Sequence, residues 1–178
     1  MTLTPPDQHI RRRRLLGVGL RADLVTTADS ARDIRFADSG FGCDLAMIEG
    51  VDNLCQCLAI GLTTLRGSDV FNQRFGFLGL TPLSEQTSPI LAREGVRGAV
   101  AEYLASDPRV TRIVDLQVSN PMETPAGAFR RVLDVRVDFE TVGGDVGEVS
   151  TGGLASGQRW GDIDTRGMSG AIEEERES

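Results

Sequence analysis

The sequence predicts an α/β fold of the α+β kind, in which a small mixed sheet packs against two main helices and an extended arm leaves each end. Three observations carry this. Apolar residues recur at helical spacing in two stretches, 51–65 and 92–104. A third stretch, 129–140, alternates apolar and charged residues with the period of a strand. The two ends, in contrast, hold no sustained period. The chain thus divides into an N-terminal arm (1–32), a folded domain (33–141) and a Gly-rich acidic C-terminal arm (142–178). At 178 residues there is room for one ordinary core.

Within the domain, Ile34-Arg35-Phe36-Ala37 reads as a short strand, Asp38-Ser39-Gly40 as a turn and Phe41–Ile48 as a return strand. A helix follows, with Asp52 as its N-cap and Val51, Leu54, Cys55, Leu58, Leu62 and Leu65 as one apolar stripe. That pattern stops at Arg66-Gly67-Ser68-Asp69. Ser88-Pro89 starts the second helix, because proline in a first turn lacks only an N–H that would be unpaired anyway. Its buried stripe is Ala92, Val96, Ala99, Val100, Tyr103 and Leu104. Pro108 ends it, since the residue before a proline is pushed out of the helical conformation. A strand comes next, with Val110, Val114, Leu116 and Val118 expected on one face. After a turn-rich 120–128 stretch, Phe129, Leu133, Val135, Val137 and Phe139 face inward, opposite Arg130, Asp134, Arg136, Asp138 and Glu140. No obvious neighbour follows this last strand, which places residues 129–141 at or near a sheet edge, open either to a partner strand or to the N-terminal arm of the same chain. Charged side chains such as Arg136 and Asp138 would blunt that edge until a partner strand pairs with it.

Composition narrows the functional classes. Net charge is −7, which gives no overall attraction for nucleic acid or anionic lipid, and no apolar run approaches the ~20 residues of a membrane helix. All 19 basic residues are arginine, whose planar fork suits bidentate pairing with carboxylates. Arg11–Arg14 form a basic run in an acidic protein and read as a solvated or partner-docking stretch. The short apolar segment after it lacks the length and cleavage site of a secretory signal. Gly17-Val18-Gly19 lacks the flanking strand and helix of a phosphate loop.

Catalytic residues are hard to assemble. The sole histidine, His9, lies in the N-terminal arm, and there is no lysine. Cys43, Cys55 and Cys57 are odd in number and lack metal-site spacing; the last two point to nearly opposite sides of a helix. Glu49 and Glu94 are nominal candidates for a hydrolytic carboxylate pair. No cofactor, metal or catalytic set is expected, and the chain is expected not to be an enzyme.

Three phrases in order carry a resemblance. A helix ends in Thr64-Leu65-Arg66-Gly67, a loop ends in Phe75-Gly76, and a second helix ends in Asp107-Pro108-Arg109 and runs into a strand. Over residues 44–141 this resembles the baseplate wedge family of contractile phage tails, the gene-product-twenty-five-like proteins, with relatives in type VI secretion and extracellular contractile injection systems. Two departures stand out: Gln73-Arg74 replaces the family's proline before Phe-Gly, and Asp107 replaces a glutamate. The resemblance implies a structural part that clamps a bundle of wedge proteins near the hub and offers a sheet edge for the first sheath ring. Baseplate wedge proteins, sheath subunits and central hub or spike proteins would then be its partners, with several copies per ring, in the cytoplasm during assembly and afterwards in the particle. Phe75, Gly76, Asp107, Pro108 and Arg109 would be the contact residues, with Arg136 and Asp138 at the edge. The residues alone leave a second reading of Arg109 open, an internal salt bridge to Asp107. Two other functions also stay open: a regulatory module of the anti-adaptor type, and a lysozyme-like glycan hydrolase.

Overall fold

The computed structural model describes residues 5–25, 32–40, 42–79, 88–119, 132–151 and 154–155. The predicted turn at 120–128, Phe129, Arg130 and the acidic end of the C-terminal arm lie outside them. The architecture is α+β, with three helices among the described residues and small sheets whose strands pair antiparallel. The expected mixed sheet is therefore corrected: among the described residues the one parallel contact is an isolated bridge between Leu65 and Phe77.

Helix α1 (Pro5–Leu16) occupies much of what was expected to be an extended arm. Its prolines sit in the first turn, and Asp7 near the start with Arg13 and Arg14 near the end complement the helix dipole. Among the described side chains of this polar helix only Leu16 is fully buried, and it belongs to the core. Six short strands then form three antiparallel ribbons: β1 (Val18–Leu20) with β6 (Met47–Glu49), β2 (Ala22–Leu24) with β3 (Arg32–Ile34), and β4 (Phe36–Ser39) with β5 (Gly42–Leu45). A hairpin does form near the predicted place, but shifted and shorter: Ile34 belongs to β3, Asp38 and Ser39 are in β4 and not in the turn, and the return strand breaks at Ala46 into β5 and β6, the latter pairing with β1.

The ribbons meet at three linking residues whose backbones close a ring. Arg21 N–H donates to the Ala46 carbonyl (2.8 Å), Ala46 N–H to that of Arg35 (2.9 Å), and Arg35 N–H to that of Arg21 (2.9 Å). Gln56 fixes this junction to the next helix, accepting from Ala22 N–H (2.8 Å) and donating to the Leu20 carbonyl (2.7 Å).

Helix α2 (Gly50–Thr63) buries Leu54, Leu58 and Leu62, as its stripe predicts, but Leu65 is exposed beyond its end. The N-cap position is Glu49, not Asp52, and no side chain caps the helix there. Helix α3 (Pro89–Ala105) buries Ala92, Val96, Val100 and Leu104 completely, with Ser88 at the N-cap position as expected.

The main sheet has the order β10-β9-β7, built from β7 (Val110–Val118), β9 (Val135–Thr141) and β10 (Val146–Ser150). A two-residue ribbon pairs β8 (Val132–Leu133) with β11 (Leu154–Ala155). Val135, Val137 and Phe139 point into the core as predicted. The strand holding them is central, which overturns its expected place at an edge: β10, from what was expected to be the C-terminal arm, pairs along it from Val146↔Glu140 to Ser150↔Arg136. Gly147 is opposite Phe139, where a Cβ would fall 2.6 Å from the ring. That glycine makes room for the largest core side chain of the sheet.

On β7 the inward set is Val110, Ile113, Leu116 and Val118, while Val114 is exposed. Register shifts between Val110 and Arg112 and between Ile113 and Asp115 each set one extra residue against β9. An extra residue reverses which face the following side chains occupy, so simple alternation misplaces Val114.

Candidate functional site

The three phrases of the resemblance lie along α2, the first two at its C-terminal end and the third nearer its start. Thr64 closes the helix, its Oγ1 donating to the Ile60 carbonyl at 2.7 Å. Beyond it the chain is gripped by the Phe75-Gly76 loop: Phe77 N–H donates to the Thr64 carbonyl (2.8 Å) and Arg66 N–H to that of Phe77 (3.3 Å). Gly76 has φ +105°, and a Cβ there would lie 2.7 Å from the Thr64 carbonyl oxygen and 2.8 Å from Arg66 N. Glycine is required by that close passage of two backbones.

Phe75 is half-buried, and its ring lies beside Gly61 of α2. The Tyr103 hydroxyl also approaches Gly61, so closely that a Cβ could not be accommodated. Phe77 meets Tyr103 edge to face, with ring centroids 5.9 Å apart. The loop thus fills the angle between α2 and α3. Burial, with the Asp107 charge added to it, pushes the Tyr103 hydroxyl pKa up.

At the other side of Tyr103, Pro108 lies in the turn from α3 into β7, and Asp107 and Arg109 pair across it. Arg109 Nε and Nη2 donate to Asp107 Oδ1 (3.0 Å) and Oδ2 (2.7 Å), and Arg109 N–H donates to Oδ1 as well (2.9 Å). Burial alone would raise the Asp107 pKa, but the side-chain and backbone bonds and the charge of Arg109 outweigh it and hold the carboxyl below its ordinary value. The same carboxylate raises the pKa of Arg109.

The remaining arm of the fork reaches back to the first helix. Arg109 Nη1 donates to the Leu16 carbonyl (3.4 Å), which also accepts from Asn53 Nδ2 (3.0 Å). Of the two readings of Arg109, the internal pair is present, and its third contact joins α1 to the corner. The expected contact residues Phe75, Gly76, Asp107 and Arg109 are therefore all engaged with their own chain, the first two at the end of α2 and the last two at the Leu16 carbonyl. The role of Asn53 and Leu16 was not anticipated: a carbonyl 93 residues from Arg109 leaves no signature in a sequence.

Arg136 and Asp138 are elsewhere, on the outer face of β9. Arg136 pairs with Glu148 of β10 at 2.8 Å, and Arg112 of β7 with Glu140 at 2.8 Å. Asp138 stands in register with Asp115 on one side and Glu148 on the other. With β9 central, the two ion pairs cross-link a sheet face and neither Arg136 nor Asp138 blunts an edge.

The nominal carboxylate pair is not assembled as a unit. Glu49 holds His9 Nε2 at 2.5 Å and Arg13 at 3.5 Å, whereas Glu94 pairs with Arg93 (3.2 Å) and Arg97 (3.8 Å) on α3. All three cysteines are free, and burial pushes the Cys55 thiol up to about 11, which keeps it protonated at neutral pH. Among the described residues no three His, Cys, Asp or Glu side chains are grouped to hold a metal ion, and no helix is long and apolar enough to cross a membrane. No protein-family model matches the chain, and none of the curated proteins does.

Proposed function

We propose that the protein is a structural, non-catalytic component of a contractile-tail or injection-system baseplate. One observation carries the reading. Three phrases separated in sequence, 64–67, 75–76 and 107–109, lie beside one helix, α2, the first two at its end and the third through the Leu16 carbonyl shared with Asn53, and each has a mechanical task there. Thr64 and Gly76 lock a loop to the end of α2, and Asp107 with Arg109 sets the exit angle of β7. Such a corner suits a part that must present surfaces at fixed angles to wedge, hub and sheath proteins. Because the Arg109 fork is occupied, its contribution to assembly is to hold the corner, and the partner contacts fall on neighbouring exposed surfaces. A sheath strand would pair with an outer strand of the main sheet, β7 or β10, since β9 is flanked on both sides. The test is deletion of the gene in its host, with the particles imaged by electron microscopy. Sheathed particles should be absent and should return with the wild-type gene; normal particles in the deletion strain would overturn the proposal.

A further inference from the structure

The basic run Arg11–Arg14 is divided between two sides of α1. With 3.6 residues per turn, His9, Arg12, Arg13 and Leu16 fall on one side of the helix, and Ile10, Arg11, Arg14 and Leu15 on the other. The first side is engaged with the rest of the chain. Leu16 lies in the core, Arg12 pairs with Asp145 at 2.6 Å, and His9 and Arg13 both hold Glu49. The second side is uncovered. Ile10 and Leu15 are 50% and 38% exposed, and Arg11 and Arg14 are exposed with no ion pair among the described residues. Asp7, one turn before Arg11, is the single acid of the helix. Two cations between two aliphatic side chains fit a segment that carries an aliphatic residue beside carboxylates.

We propose that residues 172–177 of the same chain cover this face, with Ile172 against Ile10 and Leu15 and with Glu173, Glu174 and Glu175 supplying carboxylates to Arg11 and Arg14. Charge favours this occupant. Glu173–Glu175 are the only three consecutive acids in the chain, as Arg11–Arg14 are its only four consecutive bases. Apolar character agrees, because Ile172 stands immediately before the acids. Reach agrees as well. Ala155 pairs with Val132 in the ribbon that leads into the Val135 end of β9, whereas Arg12 ties α1 to Asp145 at the Thr141 end. The seven residues of β9 separate those ends by roughly 20 Å. Ile172 follows Ala155 by 17 residues, and a glycine-rich chain of that length has a root-mean-square reach of roughly 20–25 Å. Such a tether holds its end near the helix at an effective concentration that lets individually weak, exposed ion pairs close within one chain.

The absence of lysine supplies the test. In the full chain Arg14→Lys introduces a single side-chain amine, which a zero-length carbodiimide joins only to a carboxylate in contact with it. Arg11→Lys is a second, independent probe, and thermal melts verify that each variant is folded. Mass spectrometry of the monomer band should find the amine joined to Glu173, Glu174 or Glu175. About 0.5 M sodium chloride should cut that yield about fivefold, by screening, and Ile172→Ser should cut it about threefold. Both probes joined to Asp7 alone, or to nothing, overturn the proposal. So does a product confined to the dimer band, which means that the acidic segment covers a second copy. An equal yield from Arg66→Lys, at an exposed arginine beyond the far end of α2, also overturns it, because the segment then meets every surface alike.

Discussion

The main sheet and the three-ribbon junction are written with the same two-residue alternation, yet one buries its apolar face and the other displays it. In β9, Val135, Val137 and Phe139 are fully buried beneath α2 and α3, while around the junction Ile34, Phe36 and Met47 are at least 46% exposed. The difference teaches that alternation names the apolar face of a strand but not what covers it. Cover comes from helices long enough to carry a stripe. α2 and α3 supply that stripe to the sheet, whereas the helix adjoining the junction in sequence, α1, is polar and among its described side chains buries only Leu16 completely.

The contrast can be broken first at its extremes. Phe139→Ala should destabilise the fold by about 3–5 kcal/mol, the cost of emptying a packed aromatic site, while Phe36→Ala should stay within about 0.5 kcal/mol. Urea unfolding of the purified chain followed by circular dichroism reads both; equal losses would mean the junction is packed as a core. Next in size is Gly76→Ala, expected to cost about 3 kcal/mol, since the added methyl meets the backbone of Thr64 and Arg66 in a conformation unfavourable to any side chain. A similar change at Gly40, where a Cβ would meet nothing within 4 Å, should be mild by the same measurement.

Arg109→Ala should cost about 2 kcal/mol, the scale for hydrogen bonds to a charged group. Its pH dependence is the sharper readout. The folded-state pKa of Asp107 is lowered, so the pair contributes fully above about pH 4, where an unfolded aspartate is ionised, and its contribution is lost as pH falls through the folded-state value. Melts between about pH 2 and pH 5 should therefore show a shallower acid limb in the variant than in the wild type. The smallest effect is expected on the sheet's outer face, where Asp138 stands in register with two other acids. Asp138→Asn should stabilise by a few tenths of a kcal/mol, less in high salt.

Legibility in the sequence followed the strength of each periodic signal. The stripes Leu54–Leu58–Leu62 and Val96–Val100–Leu104 gave both main helices, and Pro89 and Pro108 marked ends of the second. β10 was missed because Gly147 and its glycine-rich surroundings look like a linker, although that glycine is what lets Phe139 fit. α1 was missed because a helix with one buried residue has almost no apolar period. The β7 bulges were invisible because a two-residue rule has no place for an inserted residue. At the candidate site, the corner Asp107-Pro108-Arg109 was legible as a local phrase. The Leu16 carbonyl was not, since a backbone acceptor is the same in every residue.

That carbonyl also sets a schedule for synthesis. Leu16 is made early, but one of its hydrogen-bond donors, Arg109, follows 93 residues later. At ~5–20 residues per second, the first helix waits roughly 5–20 s for the corner that fastens it. Through that interval it is a polar helix with one large apolar residue to hide. A helix with four arginines in succession, Arg11–Arg14, is well suited to waiting in water without aggregating.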